Sequence, residues 1–138
     1  MADEHSFNVK VLTPEGEVFD GDVVQVSTRT AVGEIGILAN HVPLMARLRP
    51  TELRLHVSEG DVKSYAQAEG WLEVFGNQAL VLVGEAIAPE DLDPSALKER
   101  LSEAEKRLSE AEEGSAAEKT ATLEKERAEA FLSVAEQG

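Results

Sequence analysis

The sequence predicts an α+β fold: an antiparallel β-sandwich of about ten short strands, followed by an antiparallel helical hairpin. Three observations carry this expectation. Apolar residues alternate with period two along the first part of the chain. Turn signals punctuate these runs at short intervals. Near residue 88 the composition changes. Residues 1–88 hold Trp71, Tyr65, both Met, three of the four Phe and eight of the ten Gly. Residues 89–138 hold one aromatic, Phe131, and consist mostly of Ala, Glu, Leu, Lys, Arg and Ser. The expected division is a sandwich over 1–88 and a two-helix hairpin over 89–138.

The strands come first. FNVKVL places Phe7, Val9 and Val11 on one face and Asn8 and Lys10 on the other. TELRLHV repeats the pattern, with Leu53, Leu55 and Val57 against Arg54 and His56. Strict alternation means a sheet with one buried face. Turns are expected at Thr13-Pro14-Glu15-Gly16, Asp20-Gly21, Glu59-Gly60-Asp61 and Gly76-Asn77. ALVLV, residues 79–83, is continuously apolar and is expected to be buried on both faces.

The helices follow. Asp93-Pro94 supplies an N-cap oxygen and a Pro at the first helical position. Leu97, Leu101, Ala104, Leu108 and Ala111 then form one narrow stripe. Gly114 is expected to stop this helix, and Ser115-Ala116-Ala117-Glu118 to restart another as a capping box. Ala117, Ala121, Ala128, Leu132 and Ala135 make the second stripe, with Leu123, Phe131 and Val134 beside it. These stripes are rich in Ala, which buries far less surface than the ~1.5–3 kcal/mol of a Leu. Pairs such as Glu103–Arg107 add only about 0.2–0.5 kcal/mol each. Such a hairpin suits either a static brace or a mobile arm.

Charge narrows the function. The chain carries 27 acidic and 13 basic residues, net −14. That balance argues against binding nucleic acid or an anionic membrane surface. There is no cysteine, hence no disulfide or thiolate metal site. The acidic start, MADEHSFNVKV, lacks the apolar stretch of a signal peptide, and no run approaches the roughly 20 apolar residues of a membrane helix. The expectation is a soluble intracellular protein. His5, His41 and His56 form no ligand pair, no GxSxG elbow occurs, and Asp20 and Asp22 read as a turn rather than a metal site. Glu110, Glu112 and Glu113 read as a solvated helix end. No catalytic residues and no metal are expected.

One stretch resists this bland reading. VGEIGILANHVPL, residues 32–44, combines two glycines, a Glu and a His-x-Pro, yet lacks the Lys-Ser or Lys-Thr of a phosphate loop. Residues 33–44 resemble the Gly-Glu-x-Gly-Ile-Leu-x-x-His-x-Pro-Leu pattern of the ε subunit of F-type ATP synthases. EGWLEVFGNQALVLVGEA resembles that family's glycine-aromatic-leucine strand, turn and apolar strand, and LSVAE at 132–136 resembles the end of its second helix. The resemblance is colinear over the whole chain.

The resemblance implies a non-catalytic rotor subunit in the central stalk of a proton-translocating complex. It implies a ten-stranded sandwich that touches the γ subunit and the membrane-embedded c-ring. It implies a hairpin that can extend into the catalytic α/β head and suppress ATP hydrolysis. The location implied is peripheral, at the cytoplasmic face of a bacterial plasma membrane, with the thylakoid left open. On this reading Gly33 and Gly36 form a tight turn and Glu34 and Ile35 project from its tip towards a partner. Ile37 and Leu38 anchor the loop, and His41 and Pro43 brace its return. Some relatives bind ATP through an Ile/Leu-Asp-x-x-Arg-Ala motif and second-helix arginines. Here Asp93 remains but Ala96 stands where Arg is expected, and Arg127 remains while Phe131 replaces another Arg. ATP binding is therefore expected to be weak or absent. The competing readings are a free-standing sandwich and hairpin scaffold, dimeric, or an ATP-sensing module.

Overall fold

The computed structural model describes residues 5–137. Ten strands come first: β1 (Phe7–Thr13), β2 (Gly16–Val23), β3 (Gln25–Thr30), β4 (Gly33–Leu38), β5 (Leu44–Leu48), β6 (Thr51–Ser58), β7 (Asp61–Gln67), β8 (Gly70–Phe75), β9 (Gln78–Val83) and β10 (Ala86–Ile87). A 3-10 turn at Pro89–Asp91 leads into α1 (Pro94–Glu110) and α2 (Ala116–Gln137). The strand order is β10-β7-β6-β3-β5-β8-β9-β1-β2, with β4 branching from β3. Every ladder is antiparallel except β1 with β9, which run parallel. The expected all-antiparallel sandwich thus contains one parallel seam, where the first strand returns to lie beside the ninth.

Alternation builds the core. Phe7, Val9 and Val11 of β1, Leu53 and Leu55 of β6, Leu72 and Val74 of β8 and Val81 of β9 all point inward and are buried. Gly76 and Asn77 close β8 onto β9 with φ of 57° and 58°, the geometry a two-residue hairpin needs. Gly70 sits where those two strands press together: a Cβ there would lie 1.9 Å from the Leu82 carbonyl oxygen. No side chain larger than hydrogen fits without backbone movement.

Two strand expectations change. Asp20-Gly21 is no turn; β2 runs straight through it, paired to Lys10 and Val9 of β1. Asn8 Nδ2 donates to Asp20 Oδ1 at 3.1 Å and to the Gly21 carbonyl at 3.3 Å, while the Phe19 ring covers the glycine. The cross-strand tie and the ring keep the ladder intact. Nor is ALVLV buried on both faces. Ala79, Val81 and Val83 face the core, Leu80 is half-buried, and Leu82 is 41% exposed. Among the described residues no second layer covers the outer side of β9, so Leu82 meets solvent and Leu80 is left partly open.

The helices sit on a second, smaller core. Leu97 of α1 and Phe131, Leu132 and Val134 of α2 pack on Ala66 and Ala68 at the β7–β8 junction. Those two methyl-sized residues let α2 come close. Phe131, expected beside the stripe, is its fully buried centre, and Ala117, expected within it, is exposed. Asp93 Oδ1 accepts from the Ser95 and Ala96 amides, so the predicted N-cap forms. The expected stop at Gly114 comes earlier: α1 ends at Glu110, and Gly114 lies in the linking turn with φ of 79°. The capping box is half formed. Ser115 Oγ accepts from the Glu118 amide at 3.1 Å, but Glu118 reaches back to the Gly114 amide.

Candidate functional site

The glycine-glutamate stretch at 32–44 is mostly strand. Its turn is Ala31-Val32, two residues that join β3 to β4, and Val32 at the tip is 97% exposed. Thr30 Oγ1 accepts from the Val32 amide at 3.2 Å and donates to the Gly33 carbonyl at 2.9 Å. Gly33 leaves this turn with φ of 135°, a conformation that disfavours any side chain. The expected turn through Gly33 and Gly36, with Glu34 and Ile35 at its tip, is therefore displaced by three residues towards the start of the chain. β3 is long enough to pair every position from Gly33 to Leu38, so backbone pairing overrides the glycines' freedom.

Glu34 is exposed and pairs in register with Arg29; Ile35 is half-buried against the core. Gly36 faces outward, where a Cβ would approach Gln25 Nε2 to 3.3 Å. Ile37 is fully buried and anchors the strand as expected, whereas Leu38 is exposed and anchors nothing. Glu34, Ile35 and Gly36 line a polar cleft of about 790 Å³ between the β3–β4 hairpin and α2, opposite Glu126, Glu129 and Ser133.

His41 and Pro43 lie beyond the other end of β4, a strand of 6 residues that spans about 17 Å at the usual rise. The His41 amide donates to the Leu38 carbonyl, and its Nδ1 lies 2.7 Å from the Val42 carbonyl. The neighbouring Asn40 donates its amide to Asn77 Oδ1 at 2.7 Å, and Asn77 Nδ2 donates to the Ser6 carbonyl at 3.2 Å. The 39–43 segment is thus held at the β8–β9 turn. The motif marks both ends of one strand instead of a single tip.

Pro43 leads into a face that sequence reasoning missed. The outward residues of β5, β8 and β9 meet in register: Arg47 opposite Trp71 opposite Leu82, and Met45 opposite Glu73 opposite Leu80. Met45 is 67% exposed, Trp71 49%, Phe75 69% and Leu82 41%. The Arg47 guanidinium lies 5.7 Å from the Trp71 ring centroid, over its π face. Period two in GWLEVF carries the signal: with Leu72 and Val74 inward, Trp71 and Phe75 must face out.

Comparison with known proteins identifies the family. Residues 6–89 match the model for the ATP synthase delta/epsilon chain beta-sandwich domain. The ATP synthase epsilon chain of Persephonella marina is 41% identical over 130 residues, covering 94% of this chain and 96% of the relative. That of Halalkalibacterium halodurans is 38% identical over 130 residues, covering 94% and 97%. The chain belongs to the ATP synthase epsilon family. Its fold also resembles a chain in the mitochondrial ATP synthase of Euglena gracilis, solved as OSCP/F1/c-ring, with a TM-score of 0.80 at 21% identity, over 96% of this chain and 82% of that one. A chain in the central stalk/c-ring structure of the Tetrahymena thermophila mitochondrial ATP synthase gives 0.62 at 18% identity, over 93% and 95%.

As an epsilon chain this is a non-catalytic subunit of ATP synthase. Among the described residues no group of three His, Cys, Asp or Glu is placed to hold a metal, and no helix is long and apolar enough to cross a membrane. The two remnant nucleotide residues are both engaged. Asp93 caps α1. Arg127 donates from Nε and Nη2 to Glu69 at 3.2 and 2.9 Å, and from Nη1 to Glu85 Oε1 at 3.0 Å. Ala96 offers no charge, and Phe131 is sealed in the smaller core.

Proposed function

We propose that the chain is a central-stalk rotor subunit that couples γ to the c-ring, with residues 1–88 as its docking unit and 89–138 as its regulatory arm. The observation that carries this reading is the uncovered strip of Met45, Trp71, Phe75 and Leu82 on the outer face of the sandwich. Large apolar side chains aligned on one face, with an Arg stacked on a Trp, have the composition of a protein interface centre. γ is the proposed occupant, and Pro43 extends the strip at one edge. Glu34, Ile35, Gly33 and Gly36, with the Val32 tip, lie at the far end of β4 and are assigned to the c-ring side. His41 holds the 39–43 segment in place. The subunit role is supported by the relatives, which are ATP synthase epsilon chains, and the fold is shared with a chain of a central stalk/c-ring structure.

The location that goes with this role is peripheral, at the cytoplasmic face of the membrane that holds the c-ring. Co-purification of the full chain with γ tests the assignment against the competing scaffold reading. Recovery of a γ complex supports the rotor role; a stable homodimer that ignores γ contradicts it.

The arm is proposed to leave the sandwich, reach the α/β head and suppress ATP hydrolysis. Its apolar seat is small, and two packings of comparable free energy are what a switch requires. ATP itself is proposed to bind weakly or not at all, because Arg127 is already paired with Glu69 and Glu85 and no second arginine fork stands where Ala96 and Phe131 lie. Calorimetry on the isolated protein is expected to give at most weak heats with ATP; tight binding contradicts this.

A further inference from the structure

We infer that the sandwich carries a preformed acidic notch, made by Glu69 and Glu85, that receives Arg127 as a salt-sensitive latch for the helical hairpin. The inference rests on the releasable-arm reading above and names what holds the arm.

The notch is built by backbone. The Gly84 amide donates to the Glu69 carbonyl at 3.2 Å, and the Ala68 amide donates to the Glu85 carbonyl at 2.9 Å. These bonds set the two segments side by side and fix both carboxylates facing α2. Gly84 lies beneath the guanidinium, where a Cβ would stand 3.6 Å from Arg127 Nη2. Arg127 fills the notch with three hydrogen bonds to two carboxylates. Its side chain and those of Glu69 and Glu85 are 26%, 32% and 31% exposed, so the pairs are partly shielded from water. Arg100 of α1 approaches the same Glu85 oxygen at 3.7 Å, tying the first helix to the notch as well.

The adjacent residue repeats the contact with the charges reversed. Glu126 accepts from Arg49 Nε at 2.8 Å and pairs with its Nη2. One turn of α2 therefore presents an acid and a base to receptors of opposite sign on the sandwich. This favours one register of α2, because a shift of one residue in one direction sets Arg127 beside Arg49, and in the other sets Glu126 beside Glu69. Without Arg127, the notch keeps two carboxylates, and among the described residues Arg100 pairs with Glu85 alone of the two, at 3.7 Å. The seat then favours release through repulsion as well as through lost bonds. Paired charges of this exposure are weakened by salt, while the Phe131 seat is not.

The chain has no cysteine, so Ser58→Cys and Ser109→Cys provide two unique dye positions, at the exposed end of β6 and near the far end of α1. Single-molecule energy transfer on the full chain then reads the fraction of released hairpins. Raising sodium chloride from about 50 to about 500 mM is expected to increase that fraction in the otherwise native protein. Arg127→Gln is expected to raise it roughly tenfold at low salt, equivalent to about 1.4 kcal/mol, and to flatten the salt response. Arg127→Glu combined with Glu69→Arg is expected to restore closure in part. An Arg127→Gln hairpin that stays as closed as the native one at every salt concentration overturns the latch. So does loss of native Trp71 emission together with release, since the contact then holds the whole fold. If the native hairpin leaves in assembled ATP synthase but Arg127→Gln leaves no more often, the latch fails and the arm reading stands. If neither ever leaves, both fail.

Discussion

Gly70 shows how closely single residues are fixed by neighbouring backbone. Its missing side chain lets β8 and β9 meet at the Leu82 carbonyl, and that pairing orders Trp71 and Leu82 on the outer face. Gly70→Ala is expected to destabilise the fold by at least about 1–3 kcal/mol, the usual cost of forcing atoms into a filled space. Chemical denaturation of the variant measures it, and an unchanged midpoint contradicts the account. Arg127 shows the opposite economy, one side chain serving two carboxylates. Its retention without the other expected arginines is explained by that structural role, with no nucleotide required. The sequence marked Arg127 as a remnant of a binding motif. Its partners were invisible there because Glu69 and Glu85 are brought to it only by the β8–β9 pairing.

At the scale of elements, most of the fold was readable. Alternation in FNVKVL and TELRLHV placed the inward faces correctly, and Asp93-Pro94 placed the start of α1. The misreadings share a cause. Asp20-Gly21 and Gly33–Gly36 look like turns by residue type, but both lie within strands because a neighbouring strand pairs them. ALVLV looked doubly buried because nothing in one strand's composition reveals whether a second layer lies outside it. What that run records is an uncovered face, and that face is the proposed docking surface. The hairpin makes a separate prediction. Its seat is four buried apolar side chains on two alanines, bordered by the partly buried Ile87, Leu92, Leu101, Ala130 and Ala135, with the ion pairs at Glu126 and Arg127. Removing residues 89–138 is expected to raise ATP hydrolysis by the assembled complex and to leave γ binding intact. Unchanged hydrolysis contradicts an inhibitory arm. α2 also carries Lys119, Lys125 and Arg127 among more numerous acids, so the effect on acidic surfaces of the head is expected to be modest.

Across the whole molecule, two cores divide the labour. The larger one makes a stiff sandwich whose outer apolar face is fixed by strand register. The smaller one holds the helices through few contacts and through charges that salt can weaken. A stiff docking body and a loosely seated arm are suited to a subunit that turns with a shaft and can change its reach. The net charge of −14 acts against non-specific binding to anionic surfaces. The most direct test is titration calorimetry of the full chain against γ, comparing the native protein with a Trp71→Ala, Phe75→Ala variant. The account predicts native folding and an affinity lower by at least roughly thirtyfold, about 2 kcal/mol, as expected for central aromatic anchors. A folded variant that binds γ as tightly as the native protein would place the docking face elsewhere.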